Sequence, residues 1–257
     1  MSFLMRFCTC VVNVLCLPLH LIYAVGLYAL YKRFFTCFMY RVAVLVNQRI
    51  YSKKKELFLN LPEFKNPDGQ LTILEIGCGT GANFEFYPPG SKVICTDPNP
   101  HFEKYLEKNM GENDHLKYDR FIVTCGEDMR SVEDESVDAV VTTHVLCSVR
   151  NIKQTLREVH RILRPGGAYF FLEHVVADAS TWTYFFQHVL QPAWYYFGDG
   201  CELTRDTWKY LEAAPFSELK LRHIEAPIIS LVKPHIIGYA VKKTELRSKP
   251  PSQPVDE

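Results

Sequence analysis

Residues 1–55 contain no aspartate and no glutamate, although they hold eight lysines and arginines: Arg6, Lys32, Arg33, Arg41, Arg49, Lys53, Lys54 and Lys55. The other 202 residues hold 21 basic and 29 acidic side chains, so a formal net charge of zero conceals a basic N-terminus on a body of net −8. A body of that sign argues against nucleic acid as a partner, because a phosphate backbone is bound through a surplus of Lys and Arg. A second absence lies inside the basic block: the 25 residues from Phe7 to Tyr31 carry no formal charge. The nine cysteines are an odd number, with no Cys-x-x-Cys pair and no zinc-type ligand spacing. That excludes a fully paired disulfide scaffold and points to a reducing compartment; no metal is expected. No internal repeat is present, which excludes a solenoid. With 47% apolar residues and 13% aromatics, disorder is excluded as well.

As a helix rising about 1.5 Å per residue, the uncharged stretch reaches about 37 Å, against a hydrocarbon core of about 30 Å. Residues 1–33 are therefore read as a hydrophobic membrane anchor. No small-x-small cleavage site ends the stretch, which argues against a signal peptide. Asn13, Pro18 and His20 interrupt it, so a helical hairpin inserted from one side stands beside a full span. The excess of Lys and Arg after the stretch places its C-terminal side in the cytosol. Residues 34–70 read as an amphipathic, basic helical linker. Over 34–51 it suits the headgroup region, with Lys53, Lys54 and Lys55 at anionic lipids; the other reading is an ordinary first helix packed on the domain.

From residue 71 to 243 strand and helix signals alternate, as in an α/β domain whose parallel sheet is covered on both faces. Strands are expected over residues 71–76, 92–96, 119–124, 137–142, 168–172, 219–224 and 236–242. A helix is expected to open near Thr80. Others are expected over 100–110, 151–163, 180–198 and 204–213, the last capped by Thr204. Leu163-Arg164-Pro165-Gly166-Gly167 reads as a turn. Cys78, Cys95, Cys125 and Cys147, in or beside strands, read as small core hydrophobes. Residues 244–257, which include Pro250, Pro251 and Pro254, read as a disordered tail.

The chemistry is concentrated in Glu75-Ile76-Gly77-Cys78-Gly79-Thr80-Gly81 at the end of the first strand. Clustered glycines there let backbone N–H groups approach a nucleotide-bearing ligand. Gly77, Gly79 and Ala82 also satisfy the dinucleotide pattern G-x-G-x-x-G/A. Glu75 tips the balance. A carboxylate two residues before the first glycine repels pyrophosphate but suits a ligand with an ammonium group beside its nucleoside, and S-adenosylmethionine is such a ligand. Asp97, twenty residues after Gly77 at the end of the second strand, is placed to accept from both ribose hydroxyls. Glu127 or Asp128, after the third strand, would accept from the adenine amino group or else simply open a helix. Thr143 and His144 follow the fourth strand, where the reactive end of the ligand would lie.

In this order the parts resemble the class I S-adenosylmethionine-dependent methyltransferases: the glycine motif, the acidic end of strand two, Gly-x-acid in Gly126-Glu127-Asp128, the strand Val137-Asp138-Ala139-Val140-Val141, and the Leu-Arg-Pro-Gly-Gly segment. That resemblance covers residues 71 to about 242. It implies a Rossmann-like seven-stranded sheet whose last strand inserts antiparallel, with Glu75, Gly77, Gly79, Gly81, Asp97, Glu127 and Thr143 around the cofactor. More specific runs extend over nearly the whole chain. Among them are Cys78-Gly79-Thr80-Gly81-Ala82-Asn83-Phe84, Phe86-Tyr87-Pro88-Pro89-Gly90, Asp97-Pro98-Asn99-Pro100, Val145-Leu146-Cys147-Ser148-Val149, Glu173-His174-Val175 and Pro234-His235-Ile236. These are similar to the membrane-anchored methyltransferase-like protein 7 group, regarded as alkyl thiol methyltransferases of the endoplasmic reticulum and lipid droplets. His144 departs from that group's pattern, which has Leu there.

The resemblance implies S-methylation of a small thiol at a membrane surface. The nucleophile must be the thiolate, and a thiol of pKa about 8.5 is mostly protonated near neutral pH. His174, after strand five, and His144 are the candidate bases, each with a purely structural role as its alternative. The aromatic stretch from Trp182 to Phe197 would roof an apolar acceptor pocket, or serve as lid core or membrane contact. Two other functions fit the same features. One is methylation of carbon or oxygen in a lipid-soluble, quinone-like acceptor; the other is a structural role on lipid droplets.

Overall fold

The computed structural model describes residues 2–244. The expected disordered tail, apart from Thr244, lies outside them. Three helices come first: α1 (Ser2–Leu15), α2 (Leu17–Ala24) and α3 (Tyr28–Phe58). Pro18 sits in the first turn of α2, where its missing N–H costs no helical bond. Among the described residues no single helix is long and apolar enough to cross a membrane. Residues Phe3–Leu15 and Leu17–Ala24 reach that length and apolarity only as a pair, bent by 49°.

The body continues as β1 (Thr72–Ile76), β2 (Lys92–Asp97), α4 (Glu103–Gly111), β3 (Lys117–Val123), β4 (Val137–Thr143), α5 (Ile152–Ile162) and β5 (Leu163–His174). It closes with α6 (Trp182–Phe197), α7 (Thr207–Glu212), β6 (Glu218–Glu225) and β7 (Pro234–Val241). The seven strands form one sheet in the order β3-β2-β1-β4-β5-β7-β6. β7 runs antiparallel to both β5 and β6, and this is the inserted last strand that the class I resemblance implies. Ile73, Leu74, Val140 and Val141 are wholly buried, as expected of central strands covered on both faces. α5 turns Ile152, Leu156, Val159 and Ile162 onto the sheet. Its start is capped by Asn151, whose side chain accepts from Gln154 N at 3.1 Å.

The expected helix near Thr80 does not form. Residues 79–83 are turns, followed by a short 3-10 helix, Phe84–Phe86. Gly79 and Gly81 lie at φ +52° and +77°, left-handed values that an α-helix cannot propagate. Pro88 and Pro89 then hold Tyr87 extended, at ψ 143°. α3 covers that face of the sheet instead. Its Ile50, Leu57 and Phe58 join the same buried cluster as Ile73, Val93, Val141 and Phe170. Lys54, expected at lipid headgroups, points inward and donates to Ala82 O at 3.1 Å; Lys55 is exposed and Lys53 partly so.

Three smaller expectations are also corrected. Leu163-Arg164-Pro165-Gly166-Gly167 is a bulge within β5 rather than a turn before it: Val137 pairs with Leu163 but Ala139 with Ala168. Asp138 of β4, opposite that bulge, is buried, accepts from Thr72 N at 2.6 Å and pairs with Arg164. Thr204 is not a cap: Arg205 O accepts from Val176 N at 3.0 Å outside any helix, and α7 begins only at Thr207, preceded by Asp206. Cys125 is exposed, whereas Cys78, Cys95 and Cys147 are buried.

The first helices and α6 are joined. Thr9 Oγ1 donates to His188 O at 3.3 Å, Tyr28 OH to Tyr196 O at 3.0 Å and Tyr31 OH to Phe197 O at 2.7 Å. The carboxyl ends of the parallel strands therefore face a cover made by α3, α6 and the loops between them, and ligands of open α/β sheets bind at such ends.

Candidate active site

The glycine loop divides its labour. A Cβ on Gly77 would lie 2.7 Å from Val145, and one on Gly81 would lie 2.4 Å from the Phe84 ring. These two glycines permit close packing. A Cβ on Gly79 would meet nothing within 4 Å. The open space of the loop lies there, and Gly79 N is turned to Asp97, donating to Oδ2 at 3.1 Å.

Asp97 ends β2, and its Oδ1 accepts from Asn99 N at 2.8 Å. Burial raises its pKa to about 6, against the opposing pull of the Asn99 and Gly79 N–H groups. Asn99 is held in turn by α3, donating from Nδ2 to Lys32 O at 3.3 Å. Phe35 of α3 meets Phe102 edge-on at 6.5 Å between ring centroids. The first turns of α3 thus lie over the end of β2.

Glu75 is fully engaged from within. Its Oε1 accepts from Asn83 Nδ2 and its Oε2 from Tyr87 OH, both at 2.7 Å. Asn83 Nδ2 also reaches Thr143 Oγ1 at 3.0 Å, so one buried amide ties β1, the glycine loop and β4 together. Burial raises the Glu75 pKa and lowers that of Lys54, whose charge partly offsets the carboxylate. Glu75 is thereby a brace beneath the loop. Glu127 Oε1 accepts from Arg150 N and Asn151 N, fastening the loop after β3 to the start of α5. Asp128 forms an exposed pair with Arg130 at 2.7 Å.

His144 takes a left-handed backbone, φ +58°, and its ring meets His235 with Nε2 to Nε2 at 2.8 Å. His235 Nδ1 faces Lys233 O at 3.1 Å. A carbonyl can only accept, so His235 donates there and accepts at Nε2, which makes His144 the donor at Nε2 and leaves its Nδ1 as an acceptor. Burial holds both rings well below the usual histidine pKa, His235 at about 4. His174 is not arranged in the same way. Its Nε2 lies 3.1 Å from Cys201 Sγ, and its buried Nδ1 has no hydrogen-bond partner among the described residues.

Sequence reasoning passed over Asn83, Tyr87, Asn99 and Cys201. Asn83 and Tyr87 sit in the runs shared with the methyltransferase-like group, but their role depends on which way the glycine loop folds. Cys201 lies 27 residues beyond His174, a separation that no local pattern signals.

Comparison with known proteins agrees with this architecture. A methyltransferase-domain family model matches residues 74–171. The human thiol S-methyltransferase TMT1A is 59% identical over 82% of this chain and 87% of its own length. The chain belongs to the thiol S-methyltransferase family. Mouse thiol S-methyltransferase TMT1B is 48% identical over 94% of this chain and all of its own length. An S-adenosylmethionine-dependent methyltransferase from Thermotoga maritima superposes with a TM-score of 0.57 at 17% identity, covering 83% of this chain and 98% of that one. It shares the class I fold. S-adenosylmethionine is the methyl donor of the family, and the residues present fit it: open space at Gly79 beside the buried Asp97 carboxylate is a cradle for a nucleoside.

Proposed function

We propose that this protein transfers a methyl group from S-adenosylmethionine to small apolar thiols at a membrane surface. Kinship at 59% identity to a thiol S-methyltransferase carries the acceptor class, and the Gly79–Asp97 cradle supports the donor. Asp97 would accept from the ribose hydroxyls. Gly77 and Gly81 shape the loop, Glu75 and Thr143 brace it through Asn83, and Glu127 holds the wall near the adenine. His144 and His174 stand at the strand ends that would receive the acceptor.

Bound S-adenosylmethionine supplies a methyl carbon already activated by its sulfonium. The protein's share is alignment of the two reactants and exclusion of water, and alignment alone can be worth about 7–11 kcal/mol.

The membrane setting is supported by where apolar side chains face water. Phe3, Phe7, Leu15, Leu21 and Leu30 on the first helices are exposed, as are Trp182, Phe186 and Phe197 of α6. A patch of this kind marks a lipid or protein contact. With a basic, acid-free first segment beside it, we assign residues 1–33 to membrane attachment. The bent α1–α2 pair would enter the bilayer at the endoplasmic reticulum or a lipid droplet, with the domain on the cytosolic side.

An acceptor screen on the detergent-solubilised full chain tests the substrate class by following S-adenosylhomocysteine formation. Turnover of alkyl thiols is expected, rising with chain hydrophobicity. Turnover of quinols or phenols without thiols would replace the acceptor class.

A further inference from the structure

Cys147, His174 and Cys201 converge in the interior although each comes from a different segment: the loop after β4, the last residue of β5 and the loop after α6. Their ligand atoms all lie within 4.8 Å of one another, and all three side chains are buried. A tetrahedral zinc site with Zn–S of about 2.3 Å and Zn–N of about 2.0 Å has donor atoms about 3.3–3.8 Å apart, so little movement would close the cluster on an ion. The loops are already joined, Glu202 N donating to Cys147 O at 2.9 Å. Gln191 holds the second loop from α6, donating to Cys201 O and accepting from Leu203 N.

As a hydrogen-bond network the cluster is unfinished. His174 Nδ1 and Glu173 Oε1 are buried without partners among the described residues, and buried polar groups are normally satisfied. As a metal site its charge balances, because two thiolates, a neutral imidazole and a divalent zinc sum to zero. The neighbouring His144 Nε2 is committed to His235. Among the described residues the donor set is therefore three, not four. Closed sites of four protein ligands are structural, whereas three ligands leave a position for an exogenous group.

We propose that Cys147, His174 and Cys201 bind one zinc ion whose fourth position takes the acceptor thiol as its thiolate. The inference rests on the thiol-methylation reading and deepens it, since metal ligation ionises a thiol that is otherwise mostly protonated near neutral pH. Loading the site releases the protons of Cys147, Cys201 and the acceptor to solvent, and zinc keeps its oxidation state. In transfer the sulfonium–methyl bond breaks with its electron pair left on the donor sulfur. A lone pair of the bound thiolate forms the new carbon–sulfur bond. The product is a neutral thioether, a weak ligand that departs.

The test uses the full chain in detergent. Metal analysis is expected to find one zinc per chain, falling to near none in Cys147→Ser, Cys201→Ser and His174→Ala but retained in Cys125→Ser, whose cysteine is exposed and outside the cluster. Should the variants misfold, wild-type protein stripped by chelator and reloaded with Co2+ gives a second readout. A thiolate-to-cobalt absorption band should appear, and it should shift when an alkyl thiol is added without donor. A folded wild-type chain that binds S-adenosylmethionine yet neither retains nor takes up metal would overturn the site. A cobalt band that ignores the thiol would overturn the fourth-position assignment. Undiminished thiol methylation by metal-free protein would sink the zinc proposal and leave the proposed function standing; a loaded site in a chain that methylates no thiol would overturn the proposed function and the fourth-position assignment and leave the metal site alone standing.

Discussion

Asp97 concentrates the electrostatics of the cofactor site in one side chain. Its carboxylate ends a central strand, is 6% exposed and already accepts two backbone N–H bonds. Replacement by Ala removes charge-assisted bonds to a ligand, worth about 1.5–3 kcal/mol each, so S-adenosylmethionine affinity should fall at least about tenfold by calorimetry. The raised pKa, about 6 against an ordinary 3.8, adds a pH dependence with two signs. Donor affinity needs the carboxylate, so it should be full above about pH 6 and decline as pH falls through that value. Folding runs the other way. Between 3.8 and about 6 the folded state holds this proton more tightly than the unfolded chain, so this group lowers stability of the ligand-free protein as pH rises through that window. Asp97→Asn, which cannot ionise, should flatten this contribution to both profiles. An unchanged affinity profile in that variant would remove Asp97 from the ribose.

α3 packs on the domain, as one of the two readings of residues 34–51 has it. Phe58 is 3% exposed and packs against Phe86, Tyr87 and Phe170. Phe58→Ala should cost about 3–5 kcal/mol by denaturant unfolding, the range for aromatic truncation in a core; a loss below about 1 kcal/mol would mean that α3 is only loosely attached. Much of this element was visible in the sequence, since a continuous apolar and basic run from Tyr28 onward lacks any helix breaker. Its partner was not. Only the failure of a helix to form between Gly81 and Pro88 leaves the sheet face open for α3; Gly77, Gly79 and Gly81 all take left-handed backbone angles, and Val145 and Phe84 pack closely on the first and last of them.

For the molecule as a whole, the segment proposed for membrane attachment, residues 1–33, and the methyltransferase body share one continuous helix. α3 runs through residues 33 and 34, and its start touches Asn99 beside Asp97. Two truncations separate the roles. Removing residues 1–24 should release the chain from membranes with donor affinity preserved. Removing residues 1–33 should also lower that affinity, because Tyr28, Tyr31 and Lys32 leave the cover over the strand ends. Flotation with liposomes and calorimetry read the two effects. Continued membrane binding after the shorter truncation would move the attachment to α3 and α6, and equal donor affinity in both would place the cover elsewhere.

The sequence by itself determined the sheet, the glycine loop, the acid at the end of strand two and the asymmetry between a basic apolar start and an acidic body. Each is written in contiguous residues: periodicity, glycine spacing and charge are local properties, and local sterics and burial act on them directly. Tertiary structure alone decided what crosses between segments. It braced Glu75 from within through Asn83 and Tyr87, and it drew Lys54 inward to Ala82. It also gathered Cys147, His174 and Cys201, spaced 27 residues apart in succession, around one point. Such pairings depend on where loops close over strand ends, and the packing that closes them involves side chains far apart in the chain.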